Sequence, residues 1–443
     1  MPLHLSSYCR VALLIILLVQ VHFVKAQSQR AKPNIIYIMA DDLGYADLSG
    51  YGRKDYSTPN LDKLAKQGMK FMHAYAAAPL CTPTRVAFMT GRYPARVPFG
   101  LIEPIDWTAK DSLTGMDPDI PSIATRLRSA SYETYLLGKW HLGFMPQFSP
   151  LRNGFDYFFG FNGGGLDYIS HRSPDGMPDL FENYQPVVKD GYMTDLIAQK
   201  AIEIINKEHP RPFYLDIRFS APHWPWQAPG DKAYPDTLDW KKGGSPEKYA
   251  AMMTSLDNAV GRIMEALNKA HLANNTIVIF TSDNGGERFS DMGIYRGRKA
   301  QLWEGGIRVP AFVRWPGHIK AGSVSDEMVT TLDWTATILS MAAAKPITSF
   351  PLDGTDITPV LTGAVKDIPH AMYWRSFQRM DHKAMREGRW KYMRDEKGNE
   401  YLFDIVADPS EKNDLKEKEP AVFAGLRSKY AAWEAMMLKP IPL

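Results

Sequence analysis

Two short apolar runs in this chain end in the same way. PNIIYIMADD (33–42) closes on Asp41 and Asp42, and NTIVIFTSDNGG (275–286) closes on Asp283, Asn284 and two glycines. Both runs are continuously apolar rather than alternating, the pattern of strands buried on both faces of a parallel sheet. PFYLDIRFSAPH (212–223) is a third strand-like run with polar residues at its end. Helical patterns lie between them: NLDKLAKQGMKF (60–71), SIATRLRSA (122–130), TDLIAQKAIEIINKE (194–208) and EKYAAMMTSLDNAVGRIMEALNKA (247–270). Strands alternating with helices predict an α/β fold, a large, mostly parallel or mixed central sheet flanked by helices. In such sheets ligands collect beyond the carboxyl ends of the strands, where all three runs deposit their polar residues.

From about residue 366 the character changes. MYWRSF, HKAMREGRWKYMR and GNEYLFDI read as short strands joined by polar turns, and PAVFAGLRSKYAAWEAMM (420–437) as an amphipathic helix. A small antiparallel sheet with one helix is therefore expected over 366–443, after a larger unit over 27–365, with the Pro-, Gly- and Thr-rich PITSFPLDGTDITP approaching the boundary. The net charge of +3 is too small to argue for nucleic acid or a basic membrane-binding surface.

The first residues carry an apolar run, VALLIILLVQVHFV (11–24), followed by small residues at the −3 and −1 positions of a cleavage site after Ala26. This pattern is that of an export signal over 1–26, and the run is short of the roughly 20 residues a spanning helix needs. No second such run follows, so no stable membrane insertion is expected once the signal is removed. Of the two cysteines, Cys9 would leave with the signal. Cys81 would then be the only thiol of an exported chain, unable to form an internal disulfide. An exported protein without disulfides points to a periplasmic or secreted, bacterial setting in which Cys81 is either buried or has a task.

Asp41, Asp42, Asp283 and Asn284 offer three carboxylates and one amide oxygen from two strand ends. Hard oxygen ligands suit Ca²⁺ or Mg²⁺, and four protein ligands favour calcium, because magnesium keeps several waters. GKWHLG (138–143) sets Lys139 and His141 two apart between glycines, so an extended loop would point both to one side. His223 ends the third strand run, and Lys299 precedes an aromatic-Glu-Gly-Gly turn. Arg85, Lys139 and Lys299 with the two histidines would make a cationic pocket above the metal, suited to a tetrahedral oxyanion such as sulfate or phosphate.

CTPTR (81–85) fits Cys-x-Pro-x-Arg, and around it stand MADDLGYADL, TPNLDKLAKQG, TGRYP, GKWHLG, GFDYFFG, SAPH, SDNGG and WEGGIRVP. In order and spacing these blocks resemble the formylglycine-dependent sulfatases of the alkaline phosphatase superfamily, over nearly the whole chain after the signal. GRWKYMR and YLFDIVADPSEKNDL resemble that family's small terminal domain. The resemblance implies that a formylglycine-generating enzyme oxidises Cys81 to Cα-formylglycine, whose hydrate is the nucleophile. Pro83 and Arg85 would serve recognition by that enzyme, and Arg85 would then support the diol. It further implies that Asp41, Asp42, Asp283 and Asn284 bind Ca²⁺ together with the converted Cys81, with Asp283 as acceptor of the nucleophile's proton. Lys299 and His223 would bind the sulfate and assist the leaving oxygen. His141, beside Lys139, would deprotonate the second hydroxyl so that sulfate leaves by elimination. Thr82 and Thr84 depart slightly from the family's usual serine or alanine. Gly163 to Gly165 offer no side chain where some members contact the sulfate.

Trp224 and Trp226 follow His223 and would stack on a sugar ring. The expected reaction is hydrolysis of a sulfated sugar or glycan, with aryl sulfates as further substrates. The alternatives are a phosphonate monoester or phosphodiester hydrolase of the same superfamily, or a non-catalytic sulfoglycan-binding protein if Cys81 is never converted.

Overall fold

The computed structural model describes residues 32–105, 114–234 and 239–441. The apolar run over 11–24 and the expected cleavage after Ala26 lie outside the described residues. The chain forms β1 (Asn34–Ala40), β2 (Met69–Tyr75), β3 (Glu133–Lys139), β4 (Tyr157–Phe161), β5 (Phe181–Glu182), β6 (Gln185–Pro186), β7 (Phe213–Arg218), β8 (Thr276–Ser282), β9 (Ala311–Arg314) and β10 (Ser323–Thr330). These ten strands build one sheet in the order β10-β2-β9-β8-β1-β7-β3-β4-β5-β6. Its centre, β8-β1-β7-β3-β4, is parallel, and β9 runs antiparallel between β8 and β2.

The apolar runs at 33–42 and 275–286 are the two central strands, and they are buried along their whole length. Successive residues of β1 serve opposite faces, as the period of two requires. Ile36, Ile38 and Ala40 pack towards the helices Met193–Ile205 and Pro246–Lys269, whereas Ile35, Tyr37 and Met39 pack towards Cys81–Thr90, Ile123–Ser129 and Thr331–Met341. A parallel register, Asn34↔Thr276 through Ala40↔Ser282, sets the carboxyl ends of β1 and β8 level. β7 and β3 continue the alignment on the other side, with Met39↔Arg218 and Gly138↔Arg218. Residues that immediately follow these four strands must therefore converge.

The helical reading of 60–71 overran. The helix is Pro59–Lys66, and Met69 already begins β2. Gly68 makes the switch possible, since a Cβ there would lie 2.0 Å from the Val313 carbonyl oxygen of the neighbouring strand. Apolar Met69 and Phe71 then follow the strand period rather than the helical one.

A second sheet, β11 (Ala371–Ser376), β12 (His382–Glu387), β13 (Trp390–Arg394) and β14 (Glu400–Asp404), is an antiparallel meander. Helix Pro420–Glu434 covers one face through Leu426, Tyr430 and Trp433. The other face, with Met372, Trp374 and Phe403, packs on Leu302, Trp303 and Ile307 of the larger unit. Trp374 Nε1 donates to the Ala76 carbonyl at 2.8 Å, tying this sheet to the segment just before Cys81.

Candidate active site

The CTPTR stretch opens a helix. Cys81 is the first residue of Cys81–Thr90, a helix buried at every position. Pro83 is tolerated because the first-turn N–H groups of a helix have no intrahelical acceptor, so its missing donor costs nothing there. Arg85, four residues on, falls on the same face as Cys81. Thr84 Oγ1 donates to Ala78 O (2.9 Å) and accepts from Ala78 N (3.1 Å), fixing the approach to the helix. The spacing Cys-x-Pro-x-Arg is thus a helix-start spacing, and the thiol sits at the electropositive end of the peptide dipoles.

The strand ends do converge. Lys139 Nζ reaches Asp41 Oδ2 at 2.6 Å, Lys299 Nζ reaches Asp42 Oδ2 at 2.6 Å, and Arg85 Nη2 reaches Asp283 Oδ2 at 2.7 Å. Three cations face three carboxylates, so the expected cationic pocket is largely neutralised within the protein. Arg85 and Lys139 are fully buried beneath the cavity and do not line it, while Lys299 does. Arg85 also donates to Lys139 O at 3.2 Å, which makes it a positioning residue for both strand ends.

Asp283 is a poor proton acceptor, contrary to the role the resemblance implied. Its Oδ1 accepts the Asp42 N–H at 3.2 Å, and its Oδ2 takes both Nε and Nη2 of Arg85. Burial works to raise this carboxyl, but the Arg85 guanidinium and then Lys139 outweigh it and hold the group below the usual carboxylate range. Asp41 moves the other way. Burial and then the Asp283 charge raise it well above the usual range, against the pull of Lys139 and Arg85.

Lys139 and His141 do not point to one side of an extended loop. Lys139 ends β3 and points down to Asp41, whereas His141 has a left-handed backbone (φ 56°) that turns its ring into the cavity. His141 Nε2 lies 3.0 Å from the Ile105 carbonyl, so it carries the proton, and Nδ1 is left buried with a lone pair and no partner. His223 is held by the reverse tautomer, with Nδ1 2.6 Å from Trp224 O and Nε2 3.6 Å from Asp42 Oδ2. Burial keeps both imidazoles well below the ordinary histidine range. Lys139 and Arg85 add to this at His141, and Lys139 and Lys299 at His223.

The cavity above these groups holds about 260 Å³ and includes Cys81, His141, Gly164, Gly165, His223 and Lys299 in its wall. The glycines are there because the loop passes close to the histidines: a Cβ on Gly164 would sit 2.8 Å from His141 Nε2. Trp224 lines the cavity, half-buried, with its ring 4.4 Å from that of His223. Trp226 does not reach it. Its ring is buried edge-on against Phe289 at 5.0 Å, so it is a packing residue and cannot stack on a substrate. Arg379, Lys241 and Glu287 also line the cavity, and nothing in their local sequence marks them.

Asp41, Asp42, Cys81 and His223 offer ligand atoms within 4.8 Å of one another. Asp41 Oδ1 and Asn284 Oδ1 are buried without a hydrogen-bond partner. Orphaned hard oxygens of this kind are what a hard cation satisfies. The donor set therefore fits Ca²⁺. The Cys81 sulfur is the one soft atom in it.

The sequence model of the sulfatase family matches residues 33–344, and a model described as N-sulphoglucosamine sulphohydrolase, C-terminal, matches residues 292–431. N-acetylgalactosamine-6-sulfatase of Rattus norvegicus is 34% identical over 364 residues, covering 77% of this chain and 68% of that protein. Arylsulfatase A of Bos taurus is 33% identical over 433 residues, covering 89% of this chain and 81% of that protein. The crystal structure of Ps i-CgsB in complex with k-i-k-neocarrahexaose matches with a TM-score of 0.82 at 33% identity, covering 92% of this chain and 94% of that one.

Proposed function

The chain belongs to the sulfatase family and is a sulfuric ester hydrolase, and from that premise we propose that it removes sulfate from a sulfated carbohydrate outside the cytoplasm, using Cα-formylglycine derived from Cys81 and a Ca²⁺ held by Asp41, Asp42, Asp283 and Asn284. A carbohydrate substrate is supported by relatives named for N-acetylgalactosamine 6-sulfate and by a neighbour bound to a neocarrahexaose. The observation that carries the mechanism is the pair of orphaned buried oxygens, on Asp41 and Asn284, beneath a cavity that also presents Cys81, His141, His223 and Lys299.

As a thiol, Cys81 suits this chemistry poorly. Burial pushes its pKa up to about 11, so little thiolate exists at neutral pH, and sulfur is a weak ligand for a hard cation. Conversion to an oxygen-bearing side chain removes both difficulties. The cation, when bound, supplies Lewis-acid polarisation of the sulfate group, and the converted Cys81 supplies the attacking oxygen.

The remaining work falls to side chains already in place. Lys299 stays protonated, since the negative groups around it, Asp42 first among them, together outweigh the effect of burial, and it presents its ammonium to the sulfate from the cavity wall. His223 Nε2 faces the same space. The negative charge of a bound ester opposes Lys139 and Lys299 there, raising the imidazole so that it can give a proton to the leaving alcohol oxygen. His141 Nδ1, kept unprotonated by burial and its cationic neighbours, is the base that takes a proton from the Cys81 position as sulfate is expelled. Arg85 and Lys139 act through Asp283 and Asp41, holding the carboxylates in orientation.

Sulfate release from a panel of sulfated mono- and disaccharides, measured alongside the mass of the peptide containing residues 81–85, tests the proposal. The expected result is turnover by protein whose peptide carries the aldehyde, and none by Cys81→Ala. An intact thiol in protein that still turns over sulfate esters would refute the mechanism.

A further inference from the structure

The three inner cations each have a carboxylate within 2.6 or 2.7 Å. The cavity wall carries two more cations that do not. Arg379 makes one hydrogen bond, from Nε to Glu103 O at 3.4 Å, and among the described residues no carboxylate lies within ion-pair distance of its guanidinium. Lys241 Nζ stands 5.1 Å from the centroid of the Trp224 ring, likewise without a carboxylate among the described residues. Among the described residues Glu287 is the single acid on the wall, and its nearest cation is Lys299 at 4.0 Å.

Arg379 is held at this cavity by construction. It belongs to the loop between β11 and β12, contributed by the small sheet. The buried Glu103 carboxylate of the larger unit clamps that loop: Glu103 Oε2 accepts from Ser376 Oγ (2.9 Å), Phe377 N (2.8 Å) and Gln378 N (3.0 Å). Glu103 N donates in return to Gln378 Oε1 at 2.8 Å. Four hydrogen bonds thus fix the backbone that carries Arg379, while the residue itself is exposed and, among the described residues, its Nη1 and Nη2 make no hydrogen bond.

A sulfate ester at the reacting position is already served by Lys299 and the metal site. A planar guanidinium with parallel donors matches a sulfate or carboxylate. The cavity, at about 260 Å³, lies just below the roughly 300–1,000 Å³ common for ligand sites, room for about one sugar residue. We propose that the substrate is a saccharide bearing a second anionic group, a sulfate ester or a carboxylate, on the reacting sugar or its neighbour, and that Arg379, assisted by Lys241, binds that group. The inference rests on the sulfated-carbohydrate reading above and adds the charge of the substrate to it.

The test is titration calorimetry of the full chain carrying Cys81→Ala, which binds without turnover. The probes are matched pairs: mono- and disulfated forms of one galactosamine and one glucosamine disaccharide, and monosulfated sugars with and without an adjoining uronate. In at least one pair the doubly charged member should bind about tenfold tighter, a gap of the size one charge-assisted bidentate contact gives. Arg379→Ala should close most of that gap, Arg379→Lys should keep part of it, and high salt should narrow it. The sulfate pair and the uronate pair separate the two kinds of second anion. Equal binding within every pair, or a preference that survives Arg379→Ala, would overturn the inference. Turnover of an aryl sulfate by the unsubstituted protein reports separately on the sulfatase reading, so the two failures are distinguishable.

Discussion

Two clusters of buried charge lie within one loop of each other, and they are built to opposite ends. At the strand ends, Asp41, Asp42 and Asp283 face Lys139, Lys299 and Arg85, two oxygens are left without hydrogen bonds (Asp41 Oδ1, 3.6 Å from Arg85 Nη2, and Asn284 Oδ1), and a cavity opens above. Between the large unit and the small sheet, Glu304 and Glu411 face Lys391, at 2.9 and 2.8 Å, and Arg308 reaches Glu304 at 3.1 Å. Both Glu304 oxygens are used, Oε1 by Lys391 and Oε2 by Tyr75 and Arg308, Glu411 Oε1 has no hydrogen-bond partner but lies 2.8 Å from the Lys391 ammonium, and none of these charged residues lines the cavity above the strand ends. The stretch GRKAQLWEGGIR contributes Lys299 to the first cluster and Glu304 to the second. A buried ion cluster closed away from that cavity holds structure; one that leaves hard oxygens without hydrogen bonds beneath it is a site.

The comparison breaks first at Asp283. Asp283→Asn keeps the shape but removes the charge that Arg85 is matched to. The expected loss in kcat is on the order of 10³-fold, as for other groups that stabilise developing charge, measured as sulfate release at saturating substrate. A variant that unfolds more easily yet turns over normally would assign this cluster to the structural class instead.

Lys391→Met attacks the other cluster. Two carboxylates are then buried against one guanidinium, and a stability loss of about 3–5 kcal/mol is expected, read from urea unfolding. The kcat of the folded fraction should stay within a few-fold of the original. A large fall in kcat with unchanged stability would show that the Glu304 cluster governs Lys299 rather than the fold.

Stability against pH sharpens the contrast further. Burial and then the Glu304 charge push Glu411 from 4.5 up to about 7, while Lys391 leads the groups that hold Glu304 at about 2 in spite of burial. Glu411 is the raised case: below 4.5 both folded and unfolded chains keep its proton, and between 4.5 and 7 only the folded chain does. Its contribution to stability is therefore complete below 4.5 and is lost as pH rises through 7. Glu304 contributes change only below 4.5, outside that window. Glu411→Gln should flatten the decline between those limits by on the order of 2–3 kcal/mol, taken as the difference between unfolding free energies of variant and parent at pH 4.5 and pH 7. Parallel curves for the two proteins would mean that Glu411 is ionised in the fold throughout.

Much of the first cluster was legible in the sequence, and almost none of the second. β1 and β8 declare themselves, because a strand buried on both faces must be apolar throughout and the carboxylates that end it then stand out. Parallel pairing does the rest by bringing 41–42 beside 283–284. The start of a helix at Cys81 was hidden by the two prolines that flank the cysteine, residues that mark helix beginnings as readily as turns. Glu304, Lys391 and Glu411 are separated by up to 107 residues and are of types that usually sit in water, so no local pattern announces their pairing. Arg379 is equally silent. Its place depends on Glu103 clamping a hairpin loop 273 to 275 residues away.

The same division between cavity and interior separates Trp224 from Trp226, which read alike in a Pro-rich loop. The stretch between them turns one indole to the cavity and the other to Phe289, and only the first can meet a substrate. Trp224→Ala is the mildest of these changes, since the ring is half-buried, beside the rings of His223 and Trp240 and with the Lys241 ammonium 5.1 Å from its centroid. A loss of about 1 kcal/mol is expected, a roughly fivefold rise in KM for a sulfated disaccharide with kcat little changed. An aryl sulfate, which has no sugar face to stack, should lose less. Equal effects on both substrates would mean that Trp224 acts by packing its ring against that of His223, 4.4 Å away, and not by touching the sugar. In that case kcat would fall together with the affinity, because the imidazole that serves the leaving oxygen would have lost the ring that packs against it, while its tautomer stays fixed by the main-chain carbonyl.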